Sequence, residues 1–337
     1  MAGAVRLLTR LVGLLLTVVF LYLALSRVDL AAFGEELRRV DYRWLVPSAL
    51  CTLAGYAVRT IRWQLILSGA ARAPLRTLFP VLIMGFATNN VLPGRLGEFW
   101  RAYLLGRKRN VRKTFALASV FVERVFDGLT LIALLGIVSM NIQLPGWSRE
   151  IEFFAGLIFV SATAAVFLIL WRPEFVQRMF QIVAQPLPAR WSTWGNERVL
   201  TFVDGLAPLR RPRVLLAAAL LSAGVWLLEG SSYVLLSRGV NLGLPTSIEL
   251  PGIGLALVTI NLGIMVPSGP GYVGTQEFFG TAALSVVGAY PQAALALVVV
   301  SHAVQYVLVT GLGLLFFARE QLFPRDLRPM LAEEVAA

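Results

Sequence analysis

The sequence predicts an all-α polytopic membrane protein: an inverted repeat with about six full transmembrane helices and two re-entrant helical hairpins. Three observations predict it. The 337 residues are 57% hydrophobic and only 15% charged, where a soluble domain carries about 25% charge. Several stretches exceed the roughly 18 uncharged residues that read as membrane-spanning helices. Two further apolar stretches are short and broken by Pro and Gly in corresponding positions of the two halves.

Apolar segments fall at 7–26, 44–68, 76–93, 114–138, 152–171, 213–237, 250–267, 272–288 and 292–318. The first follows Arg6 and Arg10 and could be a signal peptide. A retained helix fits better, because the chain downstream is also membrane. Segment 76–93 ends at Pro93-Gly94 and leads into a mixed stretch, 95–109. Segments 250–267 and 272–288 are separated by Pro267-Ser268-Gly269-Pro270-Gly271. Proline lacks an N–H and clashes with the preceding turn, so no straight helix runs through such a sequence.

Loop charge sets the topology. Residues 94–113 hold seven Lys/Arg and 172–213 hold seven Arg, while 139–151 hold only Arg149 and 238–250 only Arg238. Cationic loops resist translocation, so the first pair lies in the cytoplasm and the second outside. Loop 27–43 disagrees: it should be outside, yet it holds Arg27, Arg38, Arg39 and Arg43. With both termini cytoplasmic, 76–109 enters from the cytoplasm and returns there. Segment 250–288 enters from outside and returns there. The expected organisation is a first repeat at 1–138, an outer loop at 139–151, a second repeat at 152–318 with a cytoplasmic insert at about 172–212, and a cytoplasmic tail at 319–337. The expected location is a bacterial inner membrane. A net charge of +11 then serves anionic lipid headgroups rather than nucleic acid. One cysteine and one histidine exclude an internal disulfide and a Cys/His zinc site; no metal or cofactor is expected.

The two broken segments share an order of residues. The first reads Asn90, Pro93, Gly94, Gly97, Glu98, Phe99; the second reads Asn261, Pro267, Gly269, Gly271, Gly274, Glu277, Phe278. Glu98 to Glu123 is 25 residues, as is Glu277 to His302. Gly/Pro-interrupted segments in matching positions of two halves point to a midplane binding site. Ionisable groups at that depth are costly and face a cavity or a partner. They include Arg59 and Arg62, one turn apart, Arg95, Glu98 and Arg101, and Glu123, Arg124 and Asp127; Glu229, Glu277, His302 and Gln305 complete the set. The arginines suit phosphate oxygens, by charge-assisted bidentate bonds. N–H groups freed at the tips, near Ser268, could add donors. The plain alternative is that the charges pair only to hold helices together. Asn89, Asn90 and Asn261 could equally serve the hairpin backbone, which lipid cannot satisfy.

The pattern Asn90-x-x-Pro93-x-x-x-Gly97-Glu98-x-x-Arg101, then Glu123-Arg124-x-x-Asp127, then Pro267-x-Gly269-x-Gly271-x-x-Gly274-x-x-Glu277 resembles the lysylphosphatidylglycerol synthase transmembrane-region family, also called flippase-like domain proteins. The resemblance covers nearly the whole chain. It implies the membrane part of the multiple-peptide-resistance proteins, which is implicated in lipid flipping. Only a short tail follows residue 318, so it does not imply the soluble domain that transfers an amino acid to phosphatidylglycerol.

The expected function is therefore a membrane lipid transporter of flippase or scramblase type rather than an enzyme. It would bind an anionic phospholipid or polyprenyl-phosphate headgroup between the hairpins. Expected partners are membrane lipids, with a second copy or a lipid-pathway enzyme as protein partners. The rivals are a lipid-modifying membrane enzyme, such as a polyprenyl-linked glycosyltransferase, and a non-catalytic scaffold. The short outer loops carry no Asp-x-Asp, and no nucleophile–base set stands out.

Overall fold

The computed structural model describes residues 15–26, 28–68, 73–92, 95–109, 111–142, 171–185, 207–265 and 269–320, with isolated positions between 157 and 203. Among these residues the chain is helical with no strand. The helices are α1 (Leu15–Leu25), α2 (Leu30–Arg39), α3 (Leu45–Leu67), α4 (Leu75–Val91), α5 (Leu96–Arg109) and α6 (Lys113–Ser139). After them come α7 (Pro173–Ala184), α8 (Pro212–Ser237), α9 (Thr246–Gly263), α10 (Thr275–Val286) and α11 (Pro291–Arg319). Pro93, Gly94, Pro267 and Ser268, four of the expected tip and site residues, lie outside the described residues, as does most of segment 152–171.

Local sequence explains several helix starts. Asp29 caps α2 by accepting from the N–H groups of Ala31 and Ala32. Pro212 and Pro291 open α8 and α11, where the missing N–H costs nothing. In α7, Phe175, Met179 and Ile182 share one face and are exposed. That is the pattern of a helix lying at a membrane surface, and it falls inside the basic insert.

Among the described residues three helices are long and apolar enough to cross a membrane: α8, α9 and α11. The pair α1–α2, bent by 83°, makes a fourth if it is one span. Six full spans were expected. α3 and α6, with 23 and 27 residues, reach about 35 and 40 Å at 1.5 Å per residue, beyond the ~30 Å hydrocarbon core. Their mid-helix charges make them less apolar than α8, α9 and α11: Arg59 and Arg62 in α3, and Glu123, Arg124 and Asp127 in α6. Most of these charges are buried inside the bundle, so they do not meet lipid.

Each broken segment folds as two helices packed on each other, α4 with α5 and α9 with α10. α3 packs most extensively on α8. α4 packs on α11, and α9 on α6; α5 packs on α6, and α10 on α11; α3 touches α4, and α8 touches α9. Exchanging α3 with α8, α4 with α9, α5 with α10 and α6 with α11 returns the same set of neighbours. The apolar core divides in the same way. One cluster centres on Trp63, Leu82 and Trp100 in α3–α5; the other centres on Trp226, Leu257, Leu284 and Leu297 in α8–α11.

Glycine lets the broken segments close. A Cβ on Gly97 would fall on the Gly85 carbonyl oxygen, so α5 crosses α4 backbone to backbone. Asn89 on α4 accepts the Gly97 N–H at 2.7 Å, supplying a partner that lipid would not. In the second segment a Cβ on Gly263 would enter the Phe279 ring.

Candidate functional site

Both breaks place a residue other than glycine at positive φ: Arg95 at 55° and Tyr272 at 60°. L-residues adopt this region at a cost of order 1–3 kcal/mol, and such residues gather at functional sites. Both residues line one polar cavity of about 110 Å³. Each of α3–α6 and α8–α11 contributes to its wall: Tyr56 and Arg59 from α3, Phe86, Asn89 and Asn90 from α4, Glu98 from α5, Arg124 from α6, Trp226 and Glu229 from α8, Asn261 from α9, Gln276 from α10, and His302, Gln305 and Tyr306 from α11.

Behind this wall lies a layer of ion pairs. Asp127 is its hub, 2.7 Å from Arg62, 3.2 Å from Arg59 and 3.7 Å from Arg124. Glu123 takes Arg101 at 2.6 Å and Arg62 at 3.7 Å. Arg62 also donates to Ser222 at 2.7 Å. Arg101 stacks over the Trp63 ring at 3.9 Å, a cation–π contact that offsets part of its desolvation. Arg62, Arg101, Glu123 and Asp127 are 5% exposed or less and do not line the cavity. In that position they sit behind the wall, and Asp127 pairs with its Arg59 and Arg124.

The wall holds its charges more loosely. Arg59 reaches Glu229 at 3.7 Å, and Gln305 donates to Glu229 at 2.7 Å. Arg124 and Glu98 approach to 2.9 Å, but their N–H and oxygen are not aligned as a hydrogen bond. The arginines Arg59, Arg62, Arg101 and Arg124 are balanced by Glu98, Glu123, Asp127 and Glu229. Arg95 is the surplus. Its guanidinium donates to the Ile264 carbonyl at 2.8 Å, across to the other broken segment. Among the described residues it forms no ion pair. Asn90, for its part, donates to Thr310 at 3.0 Å. Asn261 bonds back to the Leu257 carbonyl at 2.9 Å.

The second tip is tied through Glu277 and His302. Glu277 Oε2 accepts the Gly274 N–H at 2.6 Å, and Oε1 meets His302 Nδ1 at 2.6 Å. His302 Nε2 is 2.8 Å from the Gly271 carbonyl oxygen. A carbonyl only accepts, so Nε2 carries a proton. One further proton is then shared between Nδ1 and the carboxylate. Gly271 and Gly274 have φ of 67° and 83°, where a Cβ is disfavoured. Gly269 donates to Thr17 of α1 at 3.0 Å, and Phe20 stacks on Phe278, so α1 buttresses this tip.

The spacing of 25 residues therefore joins one pair and not the other. Glu277 meets His302, whereas Glu98 meets Arg124 and Glu123 meets the arginines behind the wall. Sequence reasoning missed the aromatic wall residues Tyr56, Phe86, Trp226, Tyr272 and Tyr306. Tyr272 sits within the tip motif, Tyr306 one turn beyond His302, and Trp226 one turn before Glu229, so helical spacing from the polar residues was the available signal. No group of three or more His, Cys, Asp or Glu among the described residues is arranged to hold a metal ion.

Fold and site define a helical membrane protein with a charged cavity between two broken helical segments. The chain belongs to the family described as lysylphosphatidylglycerol synthase TM region, which matches residues 10–313. It is 28% identical to a protein named Glycosyltransferase AglD from Haloferax volcanii, over 91% of this chain and 54% of AglD; the chain thus spans about half of that relative's length. It is also similar to two UPF0104 membrane proteins of Methanothermobacter thermautotrophicus. One is 24% identical over 83% of this chain and 86% of the relative. The other is 26% identical over 90% of each. No solved structure matches.

Proposed function

We propose that this chain is a lipid transporter of flippase or scramblase type, which takes the anionic headgroup of a phospholipid or polyprenyl phosphate into the cavity between its two broken segments. The observation that carries this reading is Arg95: a surplus cation on a strained backbone, facing a cavity whose other charges are balanced. An anion there would complete the balance, and guanidinium is the group best shaped for phosphate. The interchangeable packing of the two halves, together with the opposite loop charges around the broken segments, supports an inverted-topology repeat with two re-entrant hairpins. In such folds the site lies near the midplane at the repeat interface. The same loop charges favour an inner membrane with both termini in the cytoplasm.

A second reading, a lipid-modifying enzyme, draws on the name of AglD. The rest of AglD lies outside the match, whereas the UPF0104 membrane proteins match over most of their length. The shared part is the membrane part, which favours the transporter.

Arg95→Gln tests the site. It removes the charge and keeps a donor for the Ile264 carbonyl. Losing one hydrogen bond to a charged group, worth about 1.5–3 kcal/mol, should slow headgroup translocation in liposomes by roughly ten- to hundredfold while the protein elutes as wild type. Wild-type translocation rates from the variant would sink the assignment.

A further inference from the structure

An apolar groove of about 610 Å³ opens between α6, α8 and α9. Its walls include Ile137, Leu227 and Leu250, all well exposed. In a bilayer such a surface meets hydrocarbon. Along α8 it runs from Arg238 to Trp226, about 18 Å at 1.5 Å per residue. That is a little over half of the ~30 Å hydrocarbon core, so the groove spans one leaflet. By loop charge this is the outer one.

Its inner end reaches the wall of the polar cavity. Trp226 lines both. The residue is 4% exposed, and its indole N–H has no hydrogen-bond partner, which is costly for a buried donor. Arg59 lies over the same ring at 5.2 Å. At the outer end Arg238 rests over Trp44 at 5.3 Å and forms no ion pair among the described residues. The groove thus offers an apolar wall one leaflet long, a donor without an acceptor at its inner end, and a cation at its mouth.

We propose that this lateral groove holds a hydrocarbon chain of the lipid whose headgroup occupies the polar cavity, with the Trp226 N–H serving an oxygen at the junction of head and chain. The proposal deepens the transporter reading and rests on it. The occupant is a lipid chain because the groove is apolar, faces the bilayer, and abuts, at Trp226, a site suited to an anionic head. Lateral access lets the chain stay in hydrocarbon while only the head crosses polar ground.

The test places the photoreactive residue p-benzoylphenylalanine at Ser231, an exposed groove position on α8, or at Leu227 should that substitution fail to fold. Leu216, exposed on the same helix but outside the groove, is the reference. The full chain is reconstituted in phosphatidylglycerol vesicles, irradiated, and its peptides weighed. A phosphatidylglycerol adduct several-fold more abundant at the groove position than at 216 is the expected result. Equal adduct yields would overturn the proposal. So would a crosslink from the groove position to residues 152–171 in place of lipid, since it would give the groove to this chain's own segment. Translocation is measured in parallel: equal labelling with a slowed Arg95→Gln removes the groove and leaves the transporter reading in place.

Discussion

Replacing Asp127 with alanine should cost the protein much of its folded population. Three guanidinium groups converge on this carboxylate, at 2.7, 3.2 and 3.7 Å. Without it Arg59, Arg62 and Arg124 face one another with one negative charge fewer, at a depth where water cannot screen them. Arg62 would suffer most. It is 1% exposed, and its next carboxylate, Glu123, is 3.7 Å away and already holds Arg101 at 2.6 Å. Removing one partner of a buried pair costs about 3–5 kcal/mol, a large part of the 5–15 kcal/mol by which proteins are commonly stable. Asp127→Asn keeps the shape but not the charge and should be nearly as damaging. Thermal unfolding in detergent, followed by the loss of monodisperse protein, reads the effect. A wild-type unfolding temperature for Asp127→Ala would mean that the ion-pair layer does not hold the helices.

Glu277 gives a contrasting pair of variants. In Glu277→Gln the amide oxygen can still accept the Gly274 N–H, and the amide N–H can donate to Nδ1 of a neutral His302. His302 Nε2 then still donates to Gly271, so all the bonds of the tip survive while the shared proton is lost. Glu277→Ala strands the Gly274 N–H and His302 Nδ1, at about 1–3 kcal/mol for each buried group left unpaired. It also frees two residues held at positive φ. The expected outcome is near-wild-type unfolding for the glutamine variant and a marked drop for alanine. If the shared proton is coupled to headgroup movement, the glutamine variant should translocate slowly although it is well folded. Equal stability of the two variants would show that the Glu277–His302 tie does not hold the tip.

The sequence made the broken segments visible because proline and glycine are local signals, and a helix cannot ignore them. The spacing of 25 residues matched Glu277 and His302 with Glu98 and Glu123, but it did not foretell that only the first two would touch. It did not distinguish Arg59 from Arg62. Both bind Asp127, yet a rotation of three residues puts the first on the cavity wall and the second behind it. Spacing alone cannot say which side of a helix faces a void. Nor could it single out Trp226 or Tyr306, since an aromatic residue in an apolar helix looks the same whether it meets lipid or a polar cavity. The positive φ of Arg95 was hidden for a different reason: the tertiary fold imposes it on a residue that does not favour it. Hydropathy alone picks out α8, α9 and α11 as long and apolar enough to cross a membrane. α3 and α6 carry their charges inward, so burial and pairing decide their place.

The most direct test of the central claim uses the wild-type chain alone in vesicles. A phosphate-bearing lipid with a fluorescent headgroup is compared with a phosphate-free glycolipid carrying the same label and chains, and bleaching from outside reports transfer between leaflets. The account predicts that the protein speeds transfer of the phosphate-bearing lipid well above protein-free vesicles, and above the glycolipid. Transfer of both lipids at the protein-free rate would contradict it.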